Sequence, residues 1–130
     1  MNQTFTKDER LKSKVLIKKL FDEGEKWNSF PFRVIVLKYP IHCGYPLQLL
    51  ISVPRSLFRK AVDRNRIKRL IRETFRRNKH LLYESLEEKQ IQILVCFQYT
   101  AKVILSFQLM QEKIIVLLQR LKEKNAEIIE

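Results

Sequence analysis

The chain has 130 residues with 45% hydrophobic content, two glycines and four prolines, which suits one folded domain and argues against linkers and low-complexity tracts. Its 26 basic and 14 acidic residues give a net charge of +12 at pH 7, so polyanions are the favoured partners and nucleic acid is the first class to consider. The apolar runs are too short to cross a membrane, although binding of an amphipathic helix to an acidic membrane surface stays open.

The N-terminal segment, MNQTFTKDERLKSK, lacks the apolar core of a signal peptide and carries acidic residues, so it predicts a cytoplasmic protein. Ser13 is placed to cap a first helix whose apolar face comprises Leu16, Ile17, Leu20 and Phe21. Lys12 is one of four lysines that flank this face, and Gly24 is a natural end for the helix.

Three later segments have the β-branched and aromatic composition of strands. Residues 32–39 and 47–53 are separated by YPIHCGYP, whose Pro and Gly predict a turn, so the two segments are expected to form an antiparallel pair. A short edge strand is predicted at residues 25–30. The alternating segment IQILVCFQ, residues 91–98, predicts a further strand.

The segment RKAVDRNRIKRLIRETFRR, residues 59–77, predicts a strongly basic helix that runs from near Ser56 to about Asn78. Its apolar stripe comprises Ile67, Leu70, Ile71, Thr74 and Phe75. Beside the stripe lies a band without a carboxylate, formed by Asn65, Lys68, Arg69, Arg72 and Arg76.

This band is interpreted as a polyanion-binding surface and not as an ordinary solvated face. A solvated face usually mixes both signs of charge, whereas here Glu73 lies on the far side, spaced to pair with Arg69 or Arg77. Arg64 projects onto the edge of the apolar stripe, an unexpected place for a solvated guanidinium. Arginine binds phosphate through paired hydrogen bonds, which favours the binding interpretation.

Ser106 is placed to cap a last helix, whose stripe comprises Phe107, Met110, Ile114, Leu117, Leu118 and Leu121. The elements then follow the order α-β-β-β-α-β-α. This order predicts an α+β fold, a two-layer sandwich in which helices pack on a four-stranded sheet. It is expected to span residues 1–130 as a single domain, with flexible tails placed, if present, at residues 1–8 and 123–130.

The residues offer no catalytic or metal-binding constellation. A nuclease that acts by itself needs gathered carboxylates to hold metal ions, but here they are scattered over a helix end, the C-terminal tail and a predicted loop containing Glu84, Glu87 and Glu88. Cys43 and Cys96 form no C-x-x-C pair, and the expectation is one loop thiol and one buried strand thiol. With His42 in a turn and His80 beyond a helix end, no zinc site is predicted.

RNA is favoured over DNA as the ligand. A helix-turn-helix reader of DNA is mostly helical, whereas strands flank this basic helix on both sides in the sequence. Single-stranded RNA is held by rings that stack on bases and by cations that bind phosphates. The candidate rings, each of which taken alone is more often a packing residue, are Phe21, Trp27, Phe30, Phe32, Tyr39 and Tyr45.

The segment KAVDRNRIKRLIRETFR, residues 60–76, resembles the R-N-R motif of the protein subunit of bacterial ribonuclease P, the ribonucleoprotein that trims precursor tRNA. RLKSKVLIKKLFDEG is similar to the family's first helix, and FRVIVLKY, LQLLISVPR and ILVCFQYTA are similar to its strands. The resemblance covers about 110 residues, from Thr6 to roughly Leu118. It implies a β-α-β crossover of left-handed sense around the R-N-R helix, against the usual preference.

The resemblance also implies two groups of RNA-contacting residues. The positions of the motif R-N-R-x-K-R-x-x-R, with basic neighbours added, are expected to bind the catalytic RNA or lie beside the leader cleft: Arg64, Asn65, Arg66, Lys68, Arg69, Arg72, Arg76, Lys60 and Arg55. A cleft for the 5′ leader of the substrate is expected to include Phe21, Ile17, Phe32 and Lys12. The chain departs from the family where Ile17 replaces a second ring and where Arg59 and Lys60 replace a Gly before Ala61.

In this family the RNA subunit cleaves, and the protein binds that RNA and the leader of precursor tRNA during 5′-end maturation, which agrees with the scattered carboxylates. Mg²⁺ would be held mostly by RNA and substrate phosphates. No membrane and no obligate protein partner are predicted, and protein-bound metal sites stay undefined. A structural ribosomal or general RNA-binding protein is the alternative, and a DNA-binding regulator is a weaker one.

Overall fold

The structure is a computed structural model that describes residues 5–41 and 44–128, with the backbone alone described at residues 125–128. His42 and Cys43 of the predicted turn, and the outermost residues of both predicted tails, lie outside the described residues. A 3₁₀ turn over Lys7–Glu9 comes first in the described part. The helices are α1 (Lys14–Glu23), α2 (Ala61–Asn78), α3 (His80–Glu88) and α4 (Phe107–Ile128), and the strands are β1 (Glu25–Ser29), β2 (Phe32–Lys38), β3 (Leu47–Ser52) and β4 (Ile93–Tyr99).

The strands form one sheet in the order β1-β2-β4-β3. β2 pairs antiparallel with both β1 and β4, while β3 runs parallel to β4. The prediction that β2 and β3 pair with each other is therefore wrong, because β4 lies between them. Every residue of β4 except Gln98 is buried, and a strand that is apolar on both faces is stable in the middle of a sheet.

The predicted edge strand at β1 and the α+β class are confirmed, and the element order is confirmed with α3 added between α2 and β4. β3 and β4 are parallel neighbours joined through α2 and α3, so the expected crossover is present. Its left-handed sense stays a prediction.

The residues that follow α2 form α3 and not the predicted loop. Leu82, Tyr83 and Leu86 are buried in the main core, whereas all three glutamates of this segment are exposed. A helix of nine residues is marginal alone, and the packing of its apolar face stabilises it here. The same change places His80 at the start of a helix.

α2 begins at Ala61 and not near Ser56, because a turn occupies the residues before it. The N–H groups of Leu57 and Phe58 donate to the Pro54 carbonyl at 3.1 and 3.3 Å. Phe58 is buried, with its ring centroid 6.1 Å from that of Tyr99. Burial of this ring therefore bends the chain where the helix was expected to start.

Different helices pack on the two faces of the sheet. The main core joins α2, α3 and α4 to alternate strand residues such as Val34, Val95 and Phe97, and these layers form the predicted sandwich. The intervening residues Ile35 and Cys96 face the other way and pack with residues of α1. α1 covers this second face only in part, since Arg33 is exposed there and Ser52 and Gln98 are half-buried.

The predicted helix ends are confirmed by their contacts. Ser13 Oγ accepts a hydrogen bond from the Leu16 N–H at 3.3 Å, and Ser106 Oγ accepts one from the Leu109 N–H at 3.2 Å. At the end of α1, a Cβ on Gly24 would collide with the Leu20 carbonyl oxygen. Close approach of the backbone therefore requires glycine at this position.

Candidate nucleic-acid interface

The basic face of α2 is held at the surface because the opposite face is buried. Ile67, Ile71 and Phe75 have no exposed surface, which confirms the predicted apolar stripe. Leu70 is only partly buried at the margin of the core, so the centre of the stripe is Ile71. This packing makes α2 a rigid support for the cations on its outer side.

The central cations of the band have no acidic partner within the described part of the chain. None of the ion pairs among the described residues involves Lys68, Arg69 or Arg72. Partial burial lowers the pKa of the Arg72 guanidinium, and the nearby positive charges of Arg10 and Arg69 lower it further. Positive charge gathered without a carboxylate favours the binding of a polyanion.

Arg76 differs from the other predicted members of the band, since it is paired. Its Nη2 lies 2.6 Å from Glu73 Oε1, and Arg77 Nε donates to the same oxygen at 3.0 Å. The hydrogen bond from Arg76 is the main reason that the pKa of Glu73 is lowered, and Arg77 contributes further. The predicted pairing of Glu73 with Arg69 or Arg77 is confirmed at Arg77. The expectation that Glu73 leaves the rest of the band uncompensated is wrong at Arg76, so the unpaired cations end at Arg72.

A second group of predicted cations precedes and begins α2. Arg55 and Arg59 line an open depression in the loop, and Lys60 is the N-cap residue of the helix. Arg64 Nη1 donates to the carbonyl oxygens of Phe58 and Arg59, at 2.8 Å in both cases. Arg64 thus ties the loop to the helix, and its contact with RNA stays a prediction, as do those of Asn65 and Arg66, both of which are exposed.

The N-terminal segment lies along the edge of β3 and brings a further cation to α2. The Leu11 N–H donates to the Leu49 carbonyl at 3.0 Å, and Arg10 forms a parallel bridge with Leu49. A pocket of about 210 Å³ lies between this segment and α2, and the described residues that line it include four cations and no carboxylate. The cations are Arg10, Lys12, Lys68 and Arg72. Sequence reasoning missed Arg10, because nothing local distinguishes it from a solvated charge.

The predicted leader cleft would lie on the second face of the sheet, which α1 covers only in part. Ile17 and Phe21, both predicted cleft residues, are half-buried and pack against the cluster that covers this face. The strand register aligns Arg33, Gln98 and Ser52 in one row on the same face. Sequence reasoning missed this polar row, although the alternation along β2 was a usable signal for Arg33.

Phe32 does not line that cleft, and its predicted role as a stacking ring is wrong in this structure. Its side chain is 1% exposed and belongs to the main core. Its ring centroid lies 5.7 Å from that of Phe97 and 5.9 Å from that of Tyr99. The period of two along β2 directs Phe32 toward the helices, and it directs Arg33 toward the cleft.

The other candidate rings are distributed over the surface. Trp27 and Tyr45 are partly buried against the main core, and Tyr39 packs with the cluster under α1. Phe30 is 59% exposed beyond the end of β1. Tyr39 thus shares a cluster with Phe21, whereas Trp27, Tyr45 and Phe30 are not part of that cluster.

The outer face of α1 carries cations that are already paired. Lys18 Nζ lies 2.8 Å from Asp22 Oδ2, and Lys19 Nζ lies 2.9 Å from Glu23 Oε2. Exposed pairs of this kind contribute little to stability, but they neutralise the local charge. Lys18 and Lys19 therefore differ from Lys68, Arg69 and Arg72 of α2, which take part in none of the ion pairs among the described residues.

Within residues 5–41 and 44–128, no group of three or more His, Cys, Asp or Glu residues is placed to hold a metal ion. No helix in this part of the chain has the length and apolar character needed to cross a membrane. Cys96 is buried in β4, as predicted, and burial raises the pKa of its thiol to about 12.

Comparison with protein families gives a match over most of the chain. The family model described as Ribonuclease P matches residues 5–122. A ribonuclease P protein component from Porphyromonas gingivalis is 38% identical over 103 residues, covering 79% of this chain and 75% of the relative. One from Nitrosococcus oceani is 40% identical over 82 residues, covering 60% of this chain and 63% of the relative.

Solved structures give the same similarity at the level of the fold. The RNase P protein from Thermotoga maritima superposes with a TM-score of 0.69 at 28% identity, covering 86% of this chain and 96% of that protein. The RNase P protein from Staphylococcus aureus superposes with a TM-score of 0.66 at 26% identity, covering 88% of this chain and 95% of that protein.

Proposed function

Because this chain belongs to the ribonuclease P protein family, we propose that it binds the catalytic RNA of ribonuclease P and the 5′ leader of precursor tRNA, and so assists 5′-end maturation of tRNA. The observation that carries the proposal is the group of Lys68, Arg69 and Arg72, which has no acidic partner among the described residues and lies on a helix held rigid by the core. Such a surface binds phosphates through charge and forked hydrogen bonds.

Two separate surfaces suit the two RNA ligands. The cations of α2 and of the loop before it, including Arg55 and Lys60, are assigned to the catalytic RNA. The cleft beside α1 is assigned to the leader, since Phe21 offers a partly exposed ring and Arg33 a cation on the same face of the sheet. Stacking on a ring and pairing with a cation are the usual means of holding single-stranded RNA.

The chemical step is assigned to the RNA subunit. The described residues do not gather carboxylates, and Mg²⁺ prefers phosphate and water oxygens. We therefore assign Mg²⁺ mostly to RNA and substrate phosphates, where it would supply charge neutralisation and activation of water. The proposal requires no membrane and no obligate protein partner, and it places the protein in the cytoplasm with its tRNA substrates.

Reconstitution tests the proposal. The protein is added to its cognate ribonuclease P RNA at a low Mg²⁺ concentration, and cleavage of precursor tRNA is measured. Wild-type protein and Lys18→Ala should restore cleavage, because Lys18 is exposed and already paired with Asp22. Arg69→Ala removes the same unit of charge from α2 and should restore less. Binding to many RNAs without restored cleavage would instead support a structural ribosomal or general RNA-binding protein.

A further inference from the structure

We propose that the N-terminal segment and α2 together form a phosphate-binding pocket for RNA, in which Arg10 and Arg72 bind one backbone phosphate and Glu9 is the positioning residue that holds Arg10 in place. The inference rests on the proposed RNA-binding function. It adds a site, a ligand group and a positioning residue that the basic motif of α2 does not contain.

The pocket has the composition of an anion site. Its volume of about 210 Å³ exceeds the roughly 30 Å³ that one water molecule occupies in the liquid, so a phosphate group fits. The lining includes Arg10, Lys12, Lys68 and Arg72, and no carboxylate from residues 5–41 or 44–124 contributes to it. Apolar residues of β3, among them Leu50, complete the wall and offer a surface to the adjoining sugar.

The cations in this pocket repel one another. Burial lowers the pKa of Arg72, and the next causes are the charges of Arg10 and Arg69. A phosphodiester placed between Arg10 and Arg72 would relieve that repulsion and accept forked hydrogen bonds from both guanidinium groups. The ligand class that fits best is therefore a nucleic-acid phosphate.

Arg10 is held in place by its own neighbours. Its Cζ lies 5.5 Å from the centroid of the Phe5 ring, and Phe5 in turn packs edge-on against Phe75 of α2 with 5.6 Å between ring centroids. The backbone of Arg10 is bridged to Leu49. A guanidinium that is already ordered loses less conformational entropy when it binds phosphate.

Glu9 anchors this segment to a distant part of the chain. Its side chain is fully buried, and Lys79 Nζ donates to Oε2 at 2.8 Å and to Oε1 at 3.1 Å. The Tyr83 hydroxyl donates to Oε2, and the Thr6 N–H donates to Oε1 at 2.9 Å. These bonds connect the N-terminal segment to the junction of α2 and α3. They are made by Glu9, the residue next to Arg10 in the chain.

The buried ion pair of Glu9 and Lys79 is better explained by positioning of the N-terminal segment than by a gain in stability. A buried ion pair contributes little net stability compared with apolar residues of similar volume, whereas its geometry specifies one arrangement of the groups it joins. Here the arrangement specified is that of the segment carrying Arg10. Glu9 therefore acts on RNA binding through Arg10.

A double-mutant cycle on the full-length protein tests the proposal. Affinity for ribonuclease P RNA is measured as a function of salt for wild type, Arg10→Ala, Glu9→Gln and the double variant. Arg10→Ala should lose about tenfold to a hundredfold, the range of one charge-assisted hydrogen bond. It should also reduce the salt slope by about one phosphate contact. Glu9→Gln should reproduce most of this loss, and the double variant should bind as Arg10→Ala does.

Two controls separate positioning from unfolding. Glu9→Gln leaves Lys79 buried without its carboxylate, so the neutral pair Glu9→Gln with Lys79→Met is measured as well, together with the melting temperature of each variant. Lys7→Ala removes an exposed cation of the same segment and should bind as wild type. Additive losses in the cycle, or a loss that merely follows the unfolded fraction, would overturn the role of Glu9.

Inorganic pyrophosphate provides a probe that does not depend on the cognate RNA. Its titration should perturb the amide signals of Arg10 and Arg72 in wild type and should do so more weakly in Arg10→Ala. Equal binding to both proteins would overturn the pocket. Wild-type protein that binds pyrophosphate in this way but does not restore cleavage by ribonuclease P RNA would refute the proposed function and leave the pocket standing.

Discussion

Replacing Phe32 with alanine distinguishes packing from RNA contact on β2. The Phe32 side chain is 1% exposed. Its ring centroid lies 5.7 Å from that of Phe97 and 5.9 Å from that of Tyr99. Truncation of such a buried ring costs about 3–5 kcal/mol, a large share of the roughly 5–15 kcal/mol that stabilises a typical domain. At about 4 °C per kcal/mol, the melting temperature should fall by roughly 12–20 °C.

Phe21→Ala is the matched control, because it removes the same side chain from the opposite face of the sheet. It should cost less stability, since Phe21 is half-buried. It should instead weaken holoenzyme binding to precursor tRNA by about 1–3 kcal/mol for the base that it stacks. That loss should occur with a leader of several nucleotides and not with a leader of one nucleotide.

The assays are thermal unfolding of both variants and holoenzyme affinity for the two substrates at a temperature where both variants are folded. Folded Phe32→Ala should show no greater loss with the longer leader than with the shorter one. A normal melting temperature combined with a loss confined to the longer leader would refute the assignment of Phe32 to the core.

Three further predictions concern α2 and β4. Arg72→Ala should weaken binding to the RNA subunit almost regardless of substrate and lower the salt slope by about one unit, and an unchanged slope in filter binding would remove Arg72 from the interface. Ile71→Ala should lower the free energy of unfolding, measured in urea, by about 2–5 kcal/mol. Leu70→Ala should lower it clearly less, because of the two residues only Ile71 has no exposed surface. The reverse order would mean that the helix faces are misassigned. In a Cys43→Ser variant, native Cys96 should resist alkylation at about pH 8. Burial raises the pKa of the Cys96 thiol from 9.0 to about 12. The stability gained by keeping this thiol neutral is therefore present below pH 9 and is lost as the pH rises toward 12. Rapid labelling of the folded variant would contradict the burial of Cys96.

Features that depend on near neighbours in the chain could be predicted from the residues alone. The apolar stripe of α2 and the caps of α1 and α4 are set by residues within one or two turns, so periodicity and capping rules were sufficient. The basic band was visible for the same reason, and the R-N-R motif within it indicated the family. Gly24 ended α1 as predicted, although the cause was close packing against a carbonyl oxygen.

Spacing along α2 was less informative for its ion pairs. Glu73 has basic residues at both three and four positions along the helix, and either distance allows contact. The side chains of Arg76 and Arg77 both reach the same carboxylate. The choice among several partners depends on rotamers, which the pattern of residue types does not specify.

Three features could be identified only in the folded structure: which strands are neighbours, which face of β2 meets the helices and which distant residues meet at the pocket. β4 separates β2 from β3 although it follows both in the chain, because its two apolar faces are buried only in the middle of the sheet. Alternation along β2 divides its residues into two faces but does not name the face that the helices cover, so Phe32 was placed on the wrong one. Glu9 and Lys79 are 70 residues apart, and their contact arises from the packing of whole elements, which leaves no periodic signal in the sequence.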